Sequence, residues 1–195
     1  MPSLTLHKLT RTSENVDDAL LRILTLSNEV FGSSPGSSKY ADLEVWKKRL
    51  ELPGAFVVYF AQTNPTQDSL SIPSLLQSVN TISGATSTYP TPVAFVFFHP
   101  KTHTHSLNTG DVQTLHLWLA GVASSQRRQG CFGRLMRAAE SMAGVDIGLT
   151  TCTVPERFPD MWWWLTRRGW LVERQLDGGK VLLVKPSPHT SNVAS

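Results

Sequence analysis

Two arginines and two glycines lie close together at the start of an apolar helical pattern, in the stretch QRRQGCFGRLM at residues 126–136. The first N–H groups of a helix have no acceptor within the helix, and the helix dipole adds partial positive charge there. Gly130 permits close backbone approach and an unusual φ angle, while Arg127 and Arg128 add charge and donors. This combination predicts a binding site for a phosphate group.

The spacing in this stretch matches neither of two common nucleotide-binding motifs. It is not the GxxxxGK[ST] loop of triphosphate-binding proteins, and it is not GxGxxG after a first strand. The formal net charge of the 195 residues is only +3, which is too small to indicate nucleic acid by itself. We therefore expect an anionic small ligand rather than a nucleic-acid partner.

A second candidate region is the alternating segment VQTLHLWLAGV at residues 112–122, which precedes the arginines. Leu115, Leu117 and Leu119 are predicted to share a face buried under helices. His116, Trp118 and Ala120 then occupy the opposite face, whose mixed character suits the wall of a site. An imidazole with an ordinary pKa near about 6.5 is suited to general-base chemistry. The alternative is a structural histidine packed beside Trp118.

The surrounding patterns predict one mixed α/β domain over residues 1–185. The predicted order is strand, helix, helix, three strands, helix, strand, helix and two strands, with Ser13 as the N-cap of the first helix. Residues 63–91 are dominated by Ser, Thr, Pro, Asn and Gln, and we interpret them as a flexible polar insertion. Residues 186–195 are predicted to form a loose tail.

The sequence VASSQRRQGCFGRLM at residues 122–136 resembles the acetyl-CoA-binding motif of the GNAT superfamily of N-acetyltransferases. Arg127, Gly130 and Phe132 occupy the three marked positions of that motif. The downstream segment WWWLTRRGW at residues 162–170 resembles a second marker, an aromatic helix that ends in a glycine–aromatic pair. The resemblance covers about residues 4–185. It implies a mixed, mostly antiparallel sheet of about seven strands, with about four helices, splayed between the fourth and fifth strands.

The resemblance also implies a cofactor, acetyl-CoA, with coenzyme A as the product. In this family, amides of the loop and helix start bind the pyrophosphate, and the pantetheine arm pairs with the end of the fourth strand. A backbone N–H near Ala120 would polarise the thioester carbonyl, an oxyanion-hole role. The implied pyrophosphate residues are Arg127, Arg128, Gln129, Gly130, Cys131, Phe132 and Gly133, and the implied pantetheine residues are Leu119, Ala120, Gly121 and Val122.

His116 is our candidate for the general base that deprotonates an acceptor amine. The histone-acetylating branch of the resembled family has a glutamate at this strand position, and the arylalkylamine-acetylating branch has a histidine. The implied reaction is direct transfer to a primary amine in a ternary complex. We expect a small amine of aromatic or apolar character, bound among Phe31, Trp118 and Trp164.

The sequence departs from the family pattern at two positions. Phe132 stands where a second small residue is usual, and we interpret its ring as facing the core, with Gly133 relieving the crowding. Many family members carry a tyrosine, the general acid, four residues before the glycine that ends the late helix. That position is Leu165 here, and no tyrosine follows Tyr89. The group that reprotonates the leaving thiolate is therefore open.

Other functions stay open beside this one. The chain could be a non-catalytic module that senses acyl-CoA, or a protein or peptide N-acetyltransferase. The HTH segment at residues 103–105 has no third ligand in sight, so we expect a solvated loop and no metal site. Cys131 and Cys152 match no metal or disulfide pattern and are expected to be reduced thiols. Without a signal peptide or a membrane-spanning segment, we expect a cytoplasmic monomer or homodimer.

Overall fold

The computed structural model describes residues 3–32, 42–62, 90–144 and 146–187. Within these ranges a single seven-stranded sheet carries four α-helices, in the predicted order of elements. The strands are β1 (Leu4–Leu9), β2 (Phe56–Gln62), β3 (Thr91–Thr102), β4 (Gln113–Val122), β5 (Gly148–Thr153), β6 (Leu171–Leu176) and β7 (Lys180–Lys185). The helices are α1 (Val16–Phe31), α2 (Leu43–Leu50), α3 (Cys131–Ala143) and α4 (Pro159–Thr166).

The strands follow the order β1-β2-β3-β4-β5-β7-β6 across the sheet. Every neighbouring pair is antiparallel except β4 and β5, which are parallel. The predicted fold class, a mixed and mostly antiparallel sheet with about four helices, is confirmed.

Two apolar cores lie on opposite faces of the sheet. Helices α1 and α2 cover one face, where Trp46 packs against Phe95 and Phe97. Helices α3 and α4 cover the other face, where Met136 and Leu165 are fully buried. Because successive strand residues point to opposite faces, each strand supplies side chains to both cores.

Some predicted boundaries change. Ser13 is not the N-cap of the first helix, because its Oγ atom accepts a hydrogen bond from the Thr10 N–H. Helix α1 starts after Asn15, whose φ of 51° is left-handed. Thr91, the last residue of the predicted polar insertion, already belongs to β3. Residues 63–89 and 188–195 lie outside the described residues, so the flexible insertion and the loose tail stay predictions.

Strands β4 and β5 separate part-way along their length. Their pairing runs from Thr114 opposite Gly148 to Leu117 opposite Thr151 and then stops. Strand β4 nevertheless continues to Val122, held on its other side by β3. The backbone edge of β4 beyond Leu117 therefore has no strand partner on the β5 side. This is the predicted splay between the fourth and fifth strands.

A β-bulge in β4 changes which side chains share a face. Phe98 of β3 lies opposite Leu117, but the next residue, Phe97, lies opposite Leu119, so Trp118 is the extra residue. Trp118 and Leu119 consequently both pack in the α1–α2 core, while Ala120 packs in the α3–α4 core. The predicted alternation, with Leu119 beside Leu117 and Ala120 beside His116, is wrong beyond Trp118 for this reason.

Candidate functional site

The arginine–glycine loop joins the end of β4 to the start of α3. A single turn of 3-10 helix at Ser124–Gln126 leads into the arginines, and α3 begins at Cys131. Gly130 has a φ of 74°, in the left-handed region that favours glycine. Two hydrogen bonds brace the loop: Arg127 Nε donates to the Val122 carbonyl over 3.3 Å, and Gln129 Nε2 donates to the Ser125 carbonyl over 3.0 Å.

The start of α3 presents backbone donors beside exposed cationic side chains. The first backbone bond of the helix runs from the Arg134 N–H to the Gly130 carbonyl, over 3.1 Å. The N–H groups of residues 131–133 therefore have no acceptor within the helix. Residues 127–130 are all exposed, whereas the Cys131 side chain is buried in the α3–α4 core. The loop residues predicted to bind a pyrophosphate thus lie together around one helix end.

Phe132 packs beside the α3–α4 core, as expected. Its ring centroid lies 4.6 Å from that of Trp164, at an interplanar angle of 66°. A Cβ added at Gly133 would lie 3.6 Å from Trp164 Cζ2, an ordinary contact, so crowding does not require glycine there. Trp164 lies on the sheet face opposite that of Trp118, and the structure does not bring these two predicted acceptor residues together.

Gly121, near the end of β4, is packed closely against β3. A Cβ at this position would lie 2.6 Å from Cε1 of the buried Phe95, which is closer than real side chains approach. Gly121 lies opposite Phe95 in β3, between the pairs that Ala120 and Val122 make with the same strand. The predicted pantetheine residues, from Leu119 to Val122, therefore lie along the part of β4 that has no β5 neighbour.

His116 is buried on the α1–α2 face, with 7% of its surface exposed. Its Nδ1 atom lies 3.0 Å from Oγ1 of Thr150 in β5, and its ring centroid lies 5.5 Å from that of His99 in β3. Burial is the main reason that the pKa of His116 falls well below 6.5, and the charges of Lys101, His99, His103 and Arg49 act in the same direction. His116 is therefore neutral near pH 7.

His99 is held in one neutral tautomer. A carbonyl can only accept, so Nδ1–H of His99 donates to the Pro100 carbonyl over 2.8 Å. The Nε2 atom must then accept from Nη1 of Arg49, 2.9 Å away. Burial lowers the pKa of His99, and Arg49 and Lys101 lower it further.

Arg49 connects this histidine cluster to the aromatic wall. The guanidinium carbon lies 4.3 Å from the ring centroid of Trp118, which itself contacts Trp46 and Phe97 edge-on. Sequence reasoning missed both Arg49 and His99. The available signal was the position of Arg49 one helical turn after the inward-facing Trp46, together with the pairing of β3 with β4 that sets His99 opposite His116.

Two threonines continue the polar cluster away from His116. Thr150 Oγ1 lies 2.9 Å from Thr114 Oγ1, which lies 2.9 Å from Nε2 of His103. His103 is buried, so the expected solvated loop at residues 103–105 is wrong for this residue, whereas His105 is exposed. The pKa of His103 is lowered, mainly by burial.

Phe31, the third residue predicted to line the acceptor site, lies at the end of α1. Its ring meets that of Phe158 edge-on, with centroids 6.2 Å apart. Phe158 immediately precedes α4, and sequence reasoning did not select it. The contact links the α1–α2 layer to the segment that follows β5.

Leu165 occupies the position where the resembled family often has a tyrosine. Its side chain is fully buried in the α3–α4 core. This position therefore supplies packing and no hydroxyl group. The residue that replaces the usual tyrosine is thus a leucine of the apolar core.

Two depressions on the described surface lie away from these residues. Their volumes are about 110 and 220 Å³, below the ~300–1,000 Å³ usual for ligand pockets. One lies between α1 and α2 and the other beside α1 and the start of β3. In the described part of the chain, no three metal-ligating side chains cluster, and no helix is long and apolar enough to cross a membrane.

Solved structures of acetyltransferases share this architecture. The aminoglycoside N-acetyltransferase AAC(6')-Iy, solved in complex with CoA, has a TM-score of 0.58 at 13% identity, covering 90% of this chain and 93% of that one. A GNAT-family acetyltransferase from Bacillus cereus has a TM-score of 0.55 at 14% identity, covering 95% and 98%. This chain has the GNAT fold.

A third solved structure has the same fold, whereas comparison of the sequence alone finds no match. The aminoglycoside acetyltransferase meta-AAC0020 from an uncultured soil sample, solved with sisomicin, has a TM-score of 0.55 at 14% identity, covering 89% of this chain and 91% of that one. No protein-family model and no curated protein matches the sequence. The GNAT fold is thus evident in the order and pairing of strands although few residues are identical.

Proposed function

We propose that this protein is an acetyl-CoA-dependent N-acetyltransferase that transfers the acetyl group directly to a small primary amine. One arrangement carries the proposal: the exposed loop residues 127–130 connect the start of α3 to the end of β4 that has no β5 partner, and the same strand carries the buried, neutral His116. The GNAT fold, shared with acetyltransferases of known structure, supports the same reaction class.

The residues at the start of α3 fit the diphosphate of coenzyme A. Free backbone N–H groups at residues 131–133, the left-handed Gly130 and the exposed Arg127 and Arg128 all favour a bound anion. The end of β4, from Leu119 to Val122, has no β5 partner, so its backbone groups on that edge are available to the pantetheine arm. When bound, acetyl-CoA supplies a thioester carbonyl for attack and a thiolate as leaving group.

The surroundings of His116 favour the reactive form of an amine. Burial and the nearby cationic groups disfavour a second positive charge, so an acceptor amine binds there more readily as the free base. Nδ1 of His116 is engaged by Thr150, which leaves Nε2 as the nitrogen that takes up the amine proton. A backbone N–H near Ala120 is our candidate donor to the developing oxyanion.

The proton for the leaving thiolate cannot come from a tyrosine at the position of Leu165, where many GNAT proteins have one. Leu165 cannot donate, so we assign this step to water. The splay between β4 and β5 leaves the end of β4 open for such a solvent molecule.

The acceptor that fits this lining is a small monoamine with an aromatic or apolar body. Trp118 and Phe31 supply apolar surface, and we retain Trp164 as a candidate contact from the opposite face. Arg49 lies over Trp118 and carries a permanent charge, which disfavours a polycationic acceptor. The aminoglycoside acetyltransferase solved with sisomicin supports a small-molecule acceptor without specifying it.

A non-catalytic acyl-CoA sensor is the second candidate function, and the buried leucine at the usual tyrosine position favours it. Both candidate functions require binding of acetyl-CoA, which isothermal titration calorimetry measures. We expect binding that weakens in the Arg127→Ala/Arg128→Ala variant and is kept in Arg174→Ala/Lys180→Ala, which removes the same charge from exposed positions in β6 and β7. Absence of binding in the unsubstituted protein would exclude both functions, and turnover with an amine then separates them.

A further inference from the structure

A continuous chain of hydrogen-bonding side chains runs inside the sheet from His103 to His116. The links are His103 Nε2 to Thr114 Oγ1 at 2.9 Å, Thr114 Oγ1 to Thr150 Oγ1 at 2.9 Å, and Thr150 Oγ1 to His116 Nδ1 at 3.0 Å. All four residues are buried, with between 0% and 7% of their surfaces exposed. Solvent is therefore a poor substitute partner at any link.

Strand pairing builds this chain. Thr114 and His116 are two residues apart in β4 and share a face, and the parallel register sets Thr150 of β5 opposite His116. His103 follows β3 directly, and its N–H donates to the Val112 carbonyl over 2.8 Å, which fixes it beside Thr114. The arrangement depends on the backbone pairing and not on flexible surface side chains.

Among the described residues, Thr114 Oγ1 and Thr150 Oγ1 have no hydrogen-bond partner outside this hydrogen-bonded chain. With both hydroxyl protons inside it, counting protons limits the hydrogen-bonded chain to two arrangements. Each threonine hydroxyl has a single proton and each of the three links needs one. If Thr150 donates to His116, then Thr114 must donate to Thr150, and His103 must donate from Nε2–H. If His116 donates from Nδ1–H, the direction reverses throughout, and Nε2 of His103 must accept. While both rings are neutral, the two histidines therefore carry their protons on the same-named nitrogen.

We infer that His103, acting through Thr114 and Thr150, determines which nitrogen of His116 carries the proton. The three are positioning residues: His116 presents a basic Nε2 only when it donates from Nδ1, which requires His103 Nε2 to accept. Protonation of His103 places a proton on its Nε2 and reverses the chain. His116 then holds its proton on Nε2 and has no lone pair there to offer. The inference rests on the proposed function for its meaning, but the tautomer coupling itself does not.

The charges around both rings fit this order of events. His116 faces Lys101, His99, His103 and Arg49, all of which oppose its protonation. His103 faces Lys101 and Arg174, which lower its pKa, and Glu173 and Asp111, which raise it. Glu173 and Asp111 favour protonation of His103, whereas every charged group named beside His116 opposes it, so we expect His103 to take up a proton first as the pH falls.

The test is ¹⁵N NMR of the histidine side chains in the full chain, without any substrate. Nitrogen shifts distinguish a protonated ring nitrogen from an unprotonated one, and single His→Gln variants assign the six histidines. At pH 8 we expect His103 and His116 to show the same tautomer. Opposite tautomers in the unsubstituted protein would overturn the inference directly.

Two substitutions of Thr150 then test the connection. Thr150→Val keeps the shape but removes the hydroxyl, so we expect His116 to lose its response to titration of His103, whereas Thr150→Ser restores the response. Thr114→Val removes the other hydroxyl and should have the same effect as Thr150→Val. It therefore provides the test if Thr150→Val folds poorly. Coupling that survives the folded valine variants would overturn the inference. Intact coupling in a protein that acetylates no amine would contradict the proposed function alone.

Discussion

The Nδ1 atom of His116 lies 3.0 Å from the Oγ1 atom of Thr150, across the parallel pairing that joins β4 to β5. The bond holds the candidate base just before the point where the two strands separate. Beyond it, the edge of β4 has no β5 partner and leads to the loop at the start of α3. The candidate base and the candidate cofactor loop thus belong to one continuous stretch of chain.

Replacement of His116 tests its role as the general base. His116→Ala should lower kcat by about 100-fold or more while leaving acetyl-CoA affinity nearly unchanged, since proton transfer is lost but the α3 loop is not altered. Stopped-time assays of thiol release and calorimetry measure the two quantities. Because the pKa of His116 is depressed, activity that depends on this base should be lost only at a pH below 6.5. A turnover unaltered across pH would remove His116 as the base.

Stability should fall as the pH decreases from 6.5. The pKa values of His99, His103 and His116 are lowered in the folded protein, so below about 6.5 the unfolded chain binds protons that the folded chain does not. Each histidine contributes a slope of at most ~1.4 kcal/mol per pH unit in that window. Urea unfolding at pH 7.5 and 5.5 measures the loss. His105→Gln is the control, because this histidine is exposed. A pH-independent stability would contradict the assignment of neutral buried rings.

The two glycines on either side of Cys131 and Phe132 should respond oppositely to replacement by alanine. Gly130→Ala forces a side chain into a left-handed backbone and should destabilise the fold by about 1 kcal/mol. Gly133→Ala adds a Cβ that makes only ordinary contacts inside α3, so it should stabilise by up to ~1 kcal/mol. Thermal or urea unfolding compares them. Equal effects would mean that α3 does not begin where the structure has it.

Arg49 should determine how the site responds to acceptor charge. Arg49→Met removes the cation over Trp118, so the kcat/KM of a diamine relative to a monoamine of equal length should rise by about tenfold, equivalent to ~1.4 kcal/mol. Arg49→Lys keeps the charge and should leave the ratio near its original value. A ratio that changes equally in both variants would implicate lost packing rather than charge.

The order of elements and the position of the candidate phosphate loop were predictable from local patterns, whereas the open edge of β4 was implied only by the resemblance to the GNAT superfamily. Apolar periodicity, the Gly130 position and the glycine ends of helices are encoded within a few residues. The side-chain faces beyond Trp118 were not predictable, since a bulge arises from how β3 and β4 fit together and leaves no clear mark in either strand.

The polar cluster around His116 was largely missed for a related reason. Thr114, Thr150, His99 and His103 come together only through the pairing of three strands, and each is an ordinary residue in its own segment. The polar composition around His103 predicts a solvated loop and gives no sign that this residue is buried. Burial of a single loop residue depends on tertiary contacts that local composition does not report.

The most direct measurement for the central claim is thiol release from acetyl-CoA over a panel of primary amines, with the N-acetyl product verified by mass. The panel spans aromatic monoamines, aliphatic monoamines, polyamines and aminoglycosides. We predict amine-dependent release of one thiol for each amide formed, strongest with an apolar or aromatic monoamine and depressed in His116→Ala. Acetyl-CoA binding without amine-dependent release for any member of the panel would contradict the account and leave a sensor of acyl-CoA in its place.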